Sequence, residues 1–221
     1  AMEDAIELHG AIIETGDIKA GMAKYEADYM PQVESLQRAS KVSQAWFEEA
    51  EQYYEDLEPI QFGFSLLTRS LRISHGNLRL RDPEYVDGVD KWFATQAANQ
   101  SGVNVPTDPA PPPMFTPFKL RDMVLSNRIV VSPMCQYCAE DGTVDDWHLV
   151  HLGSRAMGGA GLVIAEMTDV SRDGRISPGC AGIYKPEHAT AWKRITDFVH
   201  KHTDAKIALQ LGHAGRKGST T

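Results

Sequence analysis

Residues 128–144 read RIVVSPMCQYCAEDGTV: a β-branched run, Arg128–Ser132, is halted by Pro133. A thiol, an amide, a phenol and a second thiol follow before the turn residues Glu140-Asp141-Gly142. Short apolar runs bounded by turn signals mark strands buried on both faces. Two more lie downstream, Gly161–Glu166 (GLVIAE) and Lys206–Leu211 (KIALQL), and the intervening Trp147–Met157 and Glu187–His202 have helical spacing. Strand–helix–strand–helix–strand with apolar strands predicts an α/β fold, a parallel sheet covered by helices. Polar residues sit just past each run: Met134-Cys135, Thr168-Asp169 and His213-Ala214-Gly215-Arg216. In folds built of βα units that rim is where chemistry is placed.

Spacing alone leaves several roles open for Cys135 and Cys138. A zinc half-site needs a second ligand pair, and Cys180 and the His148/His151 pair fall into no known ligand spacing with it. A redox pair should open a helix, whereas AEDGT reads as a turn. Two small buried hydrophobes, or one thiol touching a cofactor from a strand's end, are the other readings. His148 and His151 share one helix face and read as a helix-packed pair. Gly158-Gly159-Ala160-Gly161 follows a helix and leads into a strand, so these glycines end the helix rather than cradle a phosphate. Gln210 can both donate to and accept from a heterocyclic amide edge. His213 and Arg216 can meet an oxyanion, or Arg216 can simply cap its loop.

Upstream the pattern is helical: residues 3–14, then Asp17 to about Leu57, whose Met22, Tyr25, Tyr29, Val33, Leu36, Val42, Trp46 and Tyr53 predict a one-sided buried stripe, then Gln61–Ser74. Pro31 is expected to break or kink the long helix. Residues 98–113, with Pro106, Pro109, Pro111, Pro112 and Pro113, predict a stiff linker between a helical part (1–97) and an α/β part (114–221).

The formal net charge of −8 argues against nucleic acid and anionic membranes as partners. No apolar run approaches the ~20 residues of a membrane span. The N-terminus has no signal-peptide pattern, and three cysteines make no disulfide scaffold, so a reduced cytoplasmic compartment is expected. A closed barrel takes about eight βα units. Three are legible here, so the sequence reads as a slice of a longer polypeptide that starts inside a helix and stops in a rim loop at GRKGSTT.

Three separated stretches, MFTPFKLRDMVLSNRIVVSPMCQY, GLVIAEMTDVSRDGRI and IALQLGHAGRKGS, resemble in order the first three strands of the Old Yellow Enzyme family, most nearly its Cys-containing branch of flavin ene-reductases. The resemblance implies the start of a (β/α)8 TIM barrel with FMN on its C-terminal rim. Ser132, Pro133, Met134 and Cys135 would run beside the isoalloxazine, with Cys135 tuning its potential. Tyr137 would face the substrate, as would His213 and Arg216, and Gln210 would bond the flavin's polar edge. Met167 stands at a flavin-contacting place where the family usually has a small residue. Cys138 would be incidental, and no metal is expected.

AMEDAIELHGAI and AGMAKYEADYMPQVESLQRAS resemble the tail of a class A FAD monooxygenase, whose FAD motifs would lie upstream. The combined order, with residues 58–93 between, resembles bifunctional aryl-CoA flavoenzymes of the salicylyl-CoA 5-hydroxylase and 2-aminobenzoyl-CoA monooxygenase/reductase type. That resemblance implies FAD, FMN and NAD(P)H as cofactors, an aromatic CoA thioester or an enone as substrate, and a homodimer as a candidate assembly. A stand-alone ene-reductase with an unrelated helical module, or a non-catalytic scaffold segment, are the rival expectations.

Overall fold

The computed structural model describes residues 2–218, and the chain divides into two compact units between Val89 and Asp90. The first unit is helical: α1 (Met2–Thr15), α2 (Ile18–Glu48), α3 (Glu51–Tyr54), α4 (Pro59–Thr68), α5 (His75–Arg81) and the start of α6 (Pro83–Ser101). Asp17 caps α2 by accepting from Ala20 N at 2.8 Å, and Gly16 takes the positive φ of 67° that the reversal requires. α1 and α2 come close enough at Gly21 that a Cβ there would lie 2.6 Å from Ile12 Cα. Trp46 anchors the other end of α2, stacking on Tyr53 at 5.5 Å and donating to Ser65 Oγ at 2.9 Å.

Four expectations for this unit need correcting: a break at Pro31, a helix end near Leu57, a buried stripe and a third segment reaching Ser74. α2 runs unbroken through Pro31 and stops at Glu48. Its apolar positions do not form a buried stripe either: Met22 is 56% exposed and Leu36 49%, and Gly21 is its one buried residue. The reason is geometric, since a helix pair offers each partner a single narrow seam. The third helical segment ends at Thr68, short of Ser74, and Leu71 beyond it holds a positive φ of 58°.

The second unit is α/β. A hairpin, β1 (Phe118–Leu120) with β2 (Met123–Leu125), precedes a three-stranded parallel sheet in the order β3 (Val130–Val131), β4 (Leu162–Asp169), β5 (Lys206–Gly212). The helices α7 (Asp146–Met157) and α8 (Pro186–His202) form the two crossovers. Val163, Ala165, Leu152, Ala156, Trp192, Ile195 and Val199 make one buried core between sheet and helices. Burying the Val, Leu and Ile side chains among them is worth roughly 1.5–3 kcal/mol each. Trp192 satisfies its indole N–H on Gly182 O at 3.1 Å. Arg128 lies over Phe93 and Phe118 at 4.9 and 5.0 Å, tying the hairpin to the end of α6. Gln100 does the same by pairing with the Lys119 backbone through both its amide atoms.

The sequence pattern did not show α6 or the hairpin, and it gave β3 as longer than the two residues that pair. Of the expected linker 98–113, residues 98–101 belong to α6 and Pro113 opens a short 3-10 turn; the stretch between runs without helix or strand and, with Phe115, Leu125 and His200, lines a cavity of about 920 Å³ inside the second unit. Gly158 and Gly159 end α7, Gly159 with a φ of 93°. Gly161 sits so close to Asn127 that a Cβ would lie 2.2 Å from its carbonyl oxygen.

Candidate functional site

The C-terminal ends of the three parallel strands open on one edge of the sheet, and each carries polar residues. From β3 the chain leaves through Ser132, Pro133 and Met134; Ser132 and Met134 are exposed and Cys135 is half-buried. Tyr137 is 54% exposed and holds a φ of 55°. A non-glycine side chain in that region is strained, and such strain concentrates at functional positions. Two contacts over-determine it. Gly179 lies against the backbone, where a Cβ would be 2.3 Å from Tyr137 O, and Ala139 N donates to Gly179 O at 3.0 Å. The Cys135 thiol beside the Tyr137 hydroxyl pushes the phenol above its ordinary pKa.

On β4 the ladder carries a bulge. Ala165 pairs with Leu209 and Met167 with Gln210, so Glu166 is the extra residue. Bulges re-aim side chains beside active sites, and here the Glu166 carboxylate is turned into the protein, 4% exposed. Met167 and Gln210 are thereby brought into register on neighbouring strands. Met167 folds over Gly212, whose absent side chain makes room: a Cβ would meet Met167 Cγ at 2.6 Å. Gln210 itself is exposed. His213 is exposed with its ring against Gly174 and its Nδ1 accepting from Gly215 N at 2.9 Å, and Arg216 is exposed in the short turn that follows.

Glu166 and His148 were not among the expected site residues, and Asp169 was expected only as a polar residue past a strand's end. His148 is buried between two carboxylates, with Nδ1 2.9 Å from Asp145 and Nε2 3.0 Å from Glu166 Oε1. Burial alone would lower its pKa, but Glu166 and Asp145 outweigh it and the net direction is up. Cys138 Sγ lies 3.8 Å from the same Nε2, and burial pushes this thiol up. Cys138 therefore lines the His148 pocket. All three thiols are free, and the described residues contain no group of three or more His, Cys, Asp or Glu able to hold a metal. Both carboxylate oxygens of Asp169 are buried without a hydrogen-bond partner among the described residues. Burial raises its pKa to about 6, against the pull of His213 and Arg175. The signal for Asp169 was an acid at a strand's end; for His148 it was the DWHLVH spacing, which reads equally well as packing.

This arrangement suits a planar, electron-accepting heterocycle. One strand tip offers a thiol and a phenol, the next a soft thioether, and the third an exposed amide that can donate and accept. FMN has those requirements: an apolar ring face and a polar pyrimidine edge. Ser132 to Cys135, Met167 and Gln210 are the residues that would hold it.

Three parallel strands with polar residues at one end, joined by covering helices, define an α/β segment built of βα units. Residues 113–220 match the model of the NADH:flavin oxidoreductase / NADH oxidase family. An NADPH dehydrogenase of Bacillus cytotoxicus is 48% identical over 106 residues, 47% of this chain and 30% of that one. An NADH:flavin oxidoreductase of Gibberella zeae is 44% identical over 137 residues, 62% of this chain and 30% of that one. The old yellow enzyme of Trypanosoma cruzi superposes with a TM-score of 0.44 at 34% identity, covering 48% of this chain and 28% of its own. The chain thus spans about 30% of the length of the curated relatives it matches.

Proposed function

We propose that the protein is an FMN-containing, NAD(P)H-dependent oxidoreductase that reduces an activated carbon–carbon double bond, with residues 114–221 forming the first part of its barrel. The observation that carries this is the 48% identity to an NADPH dehydrogenase over 106 residues. When bound, FMN supplies the hydride. Cys135 sets the electronic environment of the ring, Tyr137 and His213 orient the substrate's polar group, and Gln210 fixes the ring's orientation. Arg216 adds positive charge where an oxyanion develops, the usual protein contribution to such chemistry. Anaerobic NADPH oxidation coupled to 2-cyclohexenone reduction by the flavin-loaded protein tests the proposal, and flavin that NADPH cannot reduce would refute it.

A finer version follows from the resemblance of residues 1–97 to a monooxygenase tail. In it the protein also carries FAD, hydroxylates an aromatic CoA thioester, and joins the two flavin halves through residues 98–113. Analysis of released flavins decides this: FAD and FMN in equal amounts support it, and FMN alone rejects it in favour of the stand-alone ene-reductase.

A further inference from the structure

We infer that Glu166 is the positioning residue for the Cys135–Tyr137 loop: its bulged, buried carboxylate fixes the backbone that carries both side chains. The inference rests on the FMN reading for what that loop faces, and on geometry for the rest. Glu166 Oε2 accepts from Gln136 N, in the peptide that joins Cys135 to Gln136, at 2.6 Å. Hydrogen bonds to an ionised acceptor are short and about twice as strong as neutral ones. The other oxygen, Oε1, lies 3.0 Å from His148 Nε2, an ion-pair contact when the imidazole is protonated. His148 is in turn held by Asp145, the residue that caps α7.

The chain of contacts thus runs from the first turn of α7, through His148 and Glu166, to the flavin-facing loop. Its two middle links are buried, His148 1% and Glu166 4% exposed. A strained Tyr137 needs such support, because a conformation costing about 1–3 kcal/mol persists only where its surroundings over-determine it. Gln136 is fastened on its side chain as well: Trp147 Nε1 donates to its Oε1 at 3.0 Å, and its own Nε2 donates to Met134 O at 2.8 Å.

The test compares wild type, Glu166→Gln and Glu166→Ala by amide hydrogen exchange and by FMN titration followed in the visible spectrum. In Glu166→Ala the Gln136 amide should exchange about tenfold faster, while that of Ile195 in α8 is unchanged. FMN binding should weaken about fivefold or more and its spectrum shift. Glu166→Gln keeps a neutral acceptor and should recover part of each effect, with about threefold faster exchange at Gln136. Equal acceleration at Gln136 and Ile195, or an unchanged Gln136 amide, overturns the inference. If Glu166→Ala does not fold, Glu166→Gln decides by the same amide pair. Absence of FMN binding by the wild type would instead refute the flavin reading, and is seen separately from the exchange result.

Discussion

At the scale of single residues, the site depends on three positions whose chemistry conflicts with their surroundings. Asp169 is the clearest. Its ordinary pKa is 3.8 and burial carries it to about 6 in the fold. The folded state therefore bears no cost from this carboxyl below about pH 4, and bears the full cost of an unpartnered buried charge above about pH 6. Asp169→Asn should stabilise the protein by on the order of 2–3 kcal/mol at pH 7.5, with the gain vanishing near pH 4. Urea midpoints at the two pH values check this. Gly179 is the second position: an alanine Cβ would sit 2.3 Å from Tyr137 O, and backbone cannot yield as a flexible side chain can. Gly179→Ala should cost about 1–3 kcal/mol and weaken FMN binding, measured by urea unfolding and flavin titration. Tyr137 is the third, strained yet exposed, and little in the sequence besides its place after a strand marked it.

At the scale of elements, α7 connects capping to the site. Asp145 accepts from Trp147 N at 3.0 Å and touches His148 Nδ1 at 2.9 Å, so one side chain both starts the helix and steadies the imidazole that meets Glu166. Asp145→Ala should cost about 1–2 kcal/mol for the cap alone. Its pH dependence follows from two opposite shifts. His148 is raised in the fold, so its contribution is complete below about pH 6.5 and lost as pH rises through the folded value. Asp145 is lowered, chiefly by the His148 hydrogen bond, so its contribution is present above about pH 4 and lost below. The difference between wild type and Asp145→Ala should be widest between those limits, though small because Asp145 is largely solvent-screened. Denaturant midpoints from pH 3 to 9 measure it.

The strands and both crossover helices were legible because continuous runs such as GLVIAE and the spacing of Trp192, Ile195 and Val199 each fit one period. The hairpin was not legible. Its strands are three residues each, and Arg121 takes the positive φ of 54° that a glycine usually signals. The bulge at Glu166 was equally hidden, since an acid ending an apolar run looks the same whether it leaves the ladder or stays in it. The helical half misled for a different reason: apolar spacing shows which face could be buried, and the seam between two helices is narrower than that face.

At the scale of the whole molecule, the sheet presents its polar residues as a row of strand ends, and among the described residues β3 and β5 are its two edge strands, with Leu211 of β5 62% exposed. No helix among the described residues is long and apolar enough to cross a membrane. In the proposed enzyme the segment from Ser132 to Tyr137 lies against the flavin ring. The most direct test is the visible spectrum and midpoint potential of bound FMN in the wild type and in Cys135→Ala. The expected result is bound FMN whose main band and potential both move when the thiol is removed. Identical spectra and potentials in the two proteins, or a wild type that binds no FMN, would contradict it.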